Sequence, residues 1–236
     1  MKLMAEQFDV IRLREEYARR KEQLAGNDKY SPFNRVALFL QQQREREVLR
    51  AIGRLGVQSN QNPKVVDVGC GHGGVLLDFL SYGIRPKLLY GNDLLFDRVN
   101  QTHNMLPHLP VICADGQHLP YPDHYFDLTL INVVASSILD DTVKYRLAQE
   151  LIRITRKSGG AILWYDFIFN PVNHQTKGIG AKELRRLFPQ CKLEFRRITL
   201  APPLARILLP LSWTLAAILE KTRIFNSHYL VVIKPN

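Results

Sequence analysis

The sequence predicts an α/β fold, a largely parallel sheet with helices on both faces, and three observations carry that expectation. Short apolar runs closed by turn residues alternate with helix-like segments, the pattern of successive strand–helix–strand units. The first run, Lys64–Val68, breaks into the glycine-rich turn Gly69-Cys70-Gly71-His72-Gly73-Gly74 where a helix begins. Acidic residues then stand at the ends of the next two runs, Asp93 and Asp115. With 46% hydrophobic and 23% charged residues, the 236-residue chain can bury a full core and is not a disordered sequence. One domain with elaborations is expected.

The elements follow in order. Residues 1–60 read as an N-terminal helical extension or lid. Phe8, Ile11, Tyr17 and Leu24 share one face of a first helix, which Gly26-Asn27-Asp28 ends. A second helix opens at Ser31-Pro32, a cap residue before a proline, and runs to Gly53 or Gly56. The connection between them, with Tyr30, can fold over a bound ligand. Residues 61–236 form the main domain. After strand Lys64–Val68 come a helix over Gly74–Tyr82, strand Lys87–Tyr90, a helix over Leu94–Asn104 and strand Pro110–Ala114. Strand Phe126–Val134 precedes a helix over Asp140–Thr155, and strand Ala161–Phe169 a short helix over Ala181–Phe188. Two further strands, Lys192–Thr199 and His228–Ile233, flank an apolar helical insertion at about 199–221.

Glycines at a strand-to-helix turn permit positive φ and close approach of a ligand to the backbone, and the free N–H groups of the helix start suit a polar ligand. The glycines at 69, 71, 73 and 74 read as GxGxG or, through Gly74, as GxGxxG. Asp93, ending the second strand in Tyr90-Gly91-Asn92-Asp93-Leu94, can accept hydrogen bonds from two ribose hydroxyls. That much suits an adenosyl methyl donor or NAD alike. The third strand separates them, because Asp115, in Cys113-Ala114-Asp115-Gly116, can accept from an adenine amino group.

Four stretches in this order resemble the class I S-adenosylmethionine-dependent methyltransferases. They are Asp67–Gly73, Asp93, Ala114-Asp115-Gly116 and the turn Lys157-Ser158-Gly159-Gly160 before the fifth strand. The resemblance covers about residues 64–169 and the closing strands. It implies a Rossmann-like seven-stranded sheet of order 3-2-1-4-5-7-6 with strand 7 antiparallel. It also implies S-adenosyl-L-methionine as cofactor, with S-adenosyl-L-homocysteine as product. By that likeness Gly69 and Gly71 approach the methionine moiety and Asp93, followed by Leu94, the ribose. Asp115 and Gly116 meet the adenine, Asp67 orients the loop, and Asn132 lies near the methionine amino group.

Methyl transfer from a sulfonium asks the protein mainly for alignment, plus a base where the nucleophile is a hydroxyl. Candidates belong at the carboxyl ends of strands four and five. His174, with a near-neutral intrinsic pKa in the polar loop after strand five, is the candidate base, and Asp166 a candidate to orient it. Asn132-Val133-Val134-Ala135 departs from the Asn/Asp-Pro-Pro-Tyr/Phe signature of enzymes that methylate nucleic-acid base or glutamine nitrogens. No spacing matches a metal site.

Charge is unevenly spread. Net charge is +10, and residues 153–236 hold 14 Lys and Arg against 4 Asp and Glu. That basic third lies beside the apolar insertion, which contains Pro202, Pro203, Arg206 and Pro210 and so disfavours an unbroken spanning helix. The expected acceptor is a small-molecule or glycan-type compound, anionic or lipid-linked, methylated at oxygen. RNA on the basic third is the alternative. A methyltransferase-like binding subunit without activity is a further one. Peripheral membrane contact through 199–221 is expected to accompany a cytoplasmic location, since Met1–Gly26 lacks the layout of a secretory signal and Cys70, Cys113 and Cys191 form no disulfide framework.

Overall fold

The computed structural model describes residues 11–19, 31, 33–57, 62–169 and 175–236. Within them, one sheet comprises β1 (Val65–Val68), β2 (Leu89–Asp93), β3 (Val111–Cys113), β4 (Leu128–Asn132), β5 (Ala161–Phe167), β6 (Lys192–Leu200) and β7 (Asn226–Lys234). The strand order is β3-β2-β1-β4-β5-β7-β6. The first five strands are parallel, and β7 runs antiparallel to both neighbours. This is the expected sheet, reversed strand included. The helices are α1 (residues 11–19), α2 (Arg35–Leu55), α3 (Gly74–Ser81), α4 (Phe96–Met105), α5 (Asp141–Ile154), α6 (Ala181–Leu187), α7 (Pro202–Leu208) and α8 (Trp213–Thr222).

Successive strand residues point to opposite faces, so the core has two layers. Val65, Leu128, Leu130, Leu163, Leu230 and Val232 pack with Val48 and Ala51 of α2 and Leu76 and Phe79 of α3. Val66, Val68, Ile131, Ile162, Trp164 and Val231 pack on the other side with Leu147 and Leu151 of α5 and Leu184 of α6. Each fully buried aliphatic side chain contributes roughly 1.5–3 kcal/mol, and the two layers together hold the strand ends in fixed register.

Several boundaries differ from the sequence expectation. α2 begins at Arg35 because Asn34, not Ser31, is its cap: Asn34 Oδ1 accepts the N–H groups of Val36 and Ala37 at 2.9 and 3.2 Å. Ser31 Oγ instead accepts the Phe33 N–H. The helix closes at Gly56, whose φ of 69° only glycine adopts easily. Residues 86–88 form a 3-10 turn opened by Pro86, so β2 starts at Leu89 and reaches Asp93. β4 stops at Asn132 because Val133 has φ 54°, costly for a β-branched residue.

The apolar insertion is two helices. Ser212 Oγ accepts the Leu215 N–H and caps α8 anew after the break at Pro210. Ala205, Leu209 and Ala216 are buried with Phe39 of α2 and Leu200 of β6, and Trp213 meets Phe39 edge-on at 5.1 Å. The insertion's inner side is therefore core, built on the N-terminal extension. No helix among the described residues is long and apolar enough to cross a membrane.

Candidate functional site

A cleft of about 1670 Å³ runs along the carboxyl ends of the strands, where open α/β sheets bind ligands. A pocket for one small ligand spans roughly 300–1,000 Å³, so this cleft has room for two. It is lined by Asp67, Gly69, Gly71, Asp93, Leu94, Asp115, Gly116 and Asn132 together. The structure thus gathers all eight residues that the resemblance assigns to the cofactor.

At this end the glycine loop is tied to the neighbouring strand. The N–H groups of Gly69 and Cys70 both donate to the Asn92 carbonyl, at 2.8 and 2.9 Å. Asp93 Oδ2 accepts the Gly71 N–H at 2.9 Å and Oδ1 the Leu95 N–H at 3.0 Å. A carboxylate has about four acceptor sites, which leaves Asp93 capacity toward the cleft. Thr102 Oγ1 donates to the Gly71 carbonyl, fixing the loop from α4. Gly69 has φ 77°, and a Cβ there would lie 2.4 Å from Val134 Cγ2. A Cβ on Gly116 would meet Leu147 at 2.9 Å. Asp115 is held by Gln117, whose backbone N–H donates to Oδ1 at 2.9 Å and whose Nε2 donates to Oδ2 at 3.2 Å.

Asp67 sits beneath the loop, with Asn132 Nδ2 donating to its Oδ1 at 3.3 Å. Burial pushes its pKa up to about 7, with the nearby Asp93 charge adding to the rise; the Asn132 hydrogen bond and the Arg44 charge oppose it. A buried acid poised there ionises readily beside a positively charged ligand.

The rest of the cleft lining includes residues that carry no sequence motif. His228 of β7 stacks on Tyr165 of β5, ring centroids 4.8 Å apart, and lies 4.1 Å from the Phe167 ring. Its Nδ1 is 3.0 Å from Ser227 Oγ. Tyr165 Oη and Thr199 Oγ1 are 3.0 Å apart, with Thr199 at φ 66°. Arg44 of α2 lies 5.9 Å from the centre of the Tyr165 ring and 3.4 Å from Asp78. Burial, aided by the Arg44 charge, lowers the His228 pKa to about 3, so the imidazole is neutral. A faint sequence signal existed. His228 shares the inward face of β7 with Leu230 and Val232, and Arg44 shares a helical face with Val36, Ala37 and Leu40.

The proposed catalytic pair fares differently. Asp166 does not line the cleft. It lies on the opposite face of β5 from Tyr165, its Oδ2 accepting the Ser136 N–H at 2.9 Å and its Oδ1 the Phe167 N–H at 2.8 Å. Burial raises its pKa to about 6 despite those bonds. It braces the strand end against the loop after β4. His174 and Tyr30 lie outside the described residues.

α1 also lines the cleft. Its Tyr17 hydroxyl donates to Ser137 Oγ at 3.3 Å, and its ring carries the Arg98 guanidinium at 3.9 Å. Arg98 is 3.9 Å from Asp93, so the N-terminal extension reaches the cofactor end through one aromatic–cation contact.

Residues 66–163 match the family model described as a methyltransferase domain. The fatty-acid O-methyltransferase of Mycolicibacterium smegmatis is 35% identical over 109 residues, 45% of this chain and 38% of that protein. A tRNA (carboxymethyluridine(34)-5-O)-methyltransferase of Schizosaccharomyces pombe is 27% identical over 100 residues, 42% of this chain and 40% of that protein. Each match thus spans less than half of the curated relative's length. The crystal structure of a SAM dependent methyltransferase from Archaeoglobus fulgidus superimposes with a TM-score of 0.53 at 17% identity, covering 84% of this chain and 98% of that one.

Proposed function

We propose that this chain, a member of the S-adenosylmethionine-dependent methyltransferases of the class I fold, methylates an oxygen of a small acceptor that is apolar along its length and anionic at its reacting end. The supporting observation is the continuity of one cleft. Asp67, Asp93 and Asp115 with the glycine loop line it together with Arg197, Leu204, Ile224 and Phe225.

The residues fit the cofactor. Asp93 retains free acceptor sites for ribose hydroxyls, Asp115 and the Gly116 backbone would hold the adenine, and Gly69, Gly71 and Gly73 give the loop the positive φ angles that let its backbone face the cleft. When bound, the cofactor supplies an electrophilic methyl group on a sulfonium sulfur. The chain's own work is then alignment and exclusion of water. Tyr17 of α1 and the Tyr165–His228 stack both line the cleft and would help to exclude water from it.

An acceptor hydroxyl must lose its proton as it attacks, whereas a carboxylate is already anionic at neutral pH. The imidazole in the acceptor wall, His228, is a weak base at a pKa of about 3. Arg197 instead supplies positive charge on the cleft lining that would draw an anionic head group inward, while Arg44 is shared with Asp78. The M. smegmatis relative, named for fatty acids, supports the same acceptor class. The S. pombe relative and the basic C-terminal third favour a second reading, an RNA acceptor.

Thermal denaturation with S-adenosylmethionine, S-adenosylhomocysteine and NAD tests the cofactor first. Free ligand at one hundred times its dissociation constant stabilises by about 2.7 kcal/mol, a midpoint shift of roughly 5–10 °C for a chain of this size. Both adenosyl compounds should produce the shift and NAD should not. Labelled methyl transfer to long-chain carboxylic acids, matching alcohols and tRNA then tests the acceptor. Base-labile esters of the acids are expected. Label only on tRNA would establish the RNA reading, and no shift with any ligand would leave a binding subunit.

A further inference from the structure

The outward side of α7, α8 and the turn that follows is an apolar surface with cations around it. Ile207, Leu211, Leu215, Ile218, Ile224 and Phe225 are 43–77% exposed. Leu215 and Ile218 lie three apart on one face of α8 and Leu211 stands exposed in the turn before it, while the inward residues Ala205, Leu209 and Ala216 are buried against Phe39. The face is therefore held rigidly on α2. Between residues 202 and 225 the exposed ionisable side chains are Arg206, Lys221 and Arg223, all cationic. The acidic residue of the segment, Glu220, is buried and receives the Asn226 amide.

We propose that this face docks on an anionic lipid bilayer, its apolar residues in the boundary between headgroups and acyl chains and its cations against lipid phosphates. The charge pattern selects this occupant over a second copy of the chain. Two such faces brought together would set Arg206, Lys221 and Arg223 against their own kind, whereas a surface of lipid phosphates complements them. Position adds to this. Leu204, Arg206, Ile224 and Phe225 also line the cleft, so the docked face places the mouth of the cleft at the lipid surface. An apolar acceptor would then pass from bilayer to cleft without crossing water. That last step rests on the acceptor class proposed above; docking itself does not.

The test is co-sedimentation of the full chain, without cofactor, with vesicles of equal parts phosphatidylglycerol and phosphatidylcholine and with vesicles of phosphatidylcholine alone. Binding to the anionic vesicles that falls with added salt is expected. The double variant Leu211→Glu, Ile218→Glu should lower the partition coefficient at least about tenfold, since it sets two charges in the apolar boundary. Lys221→Gln with Arg223→Gln should weaken binding several-fold and reduce its salt dependence. All four positions are exposed, and unchanged melting shows that each variant is folded. No binding to anionic vesicles, or equal binding by folded variants, overturns the proposal. A dimer in sedimentation velocity that the first variant abolishes, with no vesicle binding, assigns the face to a second copy and also overturns it. Vesicle binding with no adenosyl-ligand shift would retain this inference and remove the methyltransferase reading.

Discussion

Asp93 accepts the backbone N–H of Gly71 through Oδ2 at 2.9 Å. One carboxylate thereby holds the glycine loop in place and offers its remaining acceptor sites to whatever the loop surrounds. Hydrogen bonds to a charged group are worth about 1.5–3 kcal/mol each. Asp93→Ala should therefore weaken S-adenosylmethionine binding by roughly 10–100-fold, read from ligand-dependent melting. Unchanged affinity would remove Asp93 from the site.

Gly69 tests the loop from the other side. A methyl group there would strike Val134, and its φ of 77° disfavours any side chain. Gly69→Ala should destabilise the protein by about 1–3 kcal/mol and abolish cofactor-induced stabilisation, both readable in one thermal titration. A variant that melts and responds as the parent does would show the loop to be loosely held.

Asp67 gives a pH dependence. Its folded pKa, about 7, lies above the ordinary aspartate value of 3.8. The folded state holds a proton that the unfolded chain has released, so this group's contribution to stability is full below pH 4 and is lost as pH rises through 7. Cationic cofactor favours the ionised form, so its affinity should rise between pH 6 and 8 with release of a proton. Calorimetry in two buffers of different ionisation heat measures that proton. Asp67→Asn should abolish the release; equal release in the variant would assign the proton elsewhere.

Asp166 should behave as a brace. Asp166→Ala leaves the N–H groups of Ser136 and Phe167 without their carboxylate partner, which costs about 2–3 kcal/mol. Denaturant unfolding should show that loss while cofactor affinity in the folded variant stays unchanged. Preserved stability with lost turnover would return Asp166 to the chemistry.

His228 carries the opposite sign to Asp67. Its folded pKa, about 3, lies below the ordinary histidine value of 6.5. Its contribution is therefore present above pH 6.5 and lost as pH falls toward 3. His228→Phe keeps a ring against Tyr165 and removes the titration, so the variant's melting temperature should fall less than the parent's between pH 6.5 and 4.5. Parallel curves would mean that His228 does not titrate in that range.

Much of the architecture was legible because its signals are local. A glycine turn followed by a helix start, and an acid at a strand end, are set by neighbours in the chain, and the sheet order followed from the family that their succession resembles. Asp67, Asp93 and Asp115 could be named as candidates for that reason, and all three line the one cleft. Which way Asp166 points was not legible because β5 is buried on both faces, so Ile162, Leu163 and Trp164 show no polar alternation to reveal the direction of the next side chain.

Composition and periodicity were enough for a largely parallel sheet and the carboxylates at its strand ends, since each depends on residues close in sequence, while the reversed last strand followed from the family resemblance. Folding alone brought His228 to Tyr165, Arg44 of α2 to the same wall, and the insertion's inner side to Phe39. Those contacts join separate elements, and no local pattern encodes which side chains meet once the sheet closes.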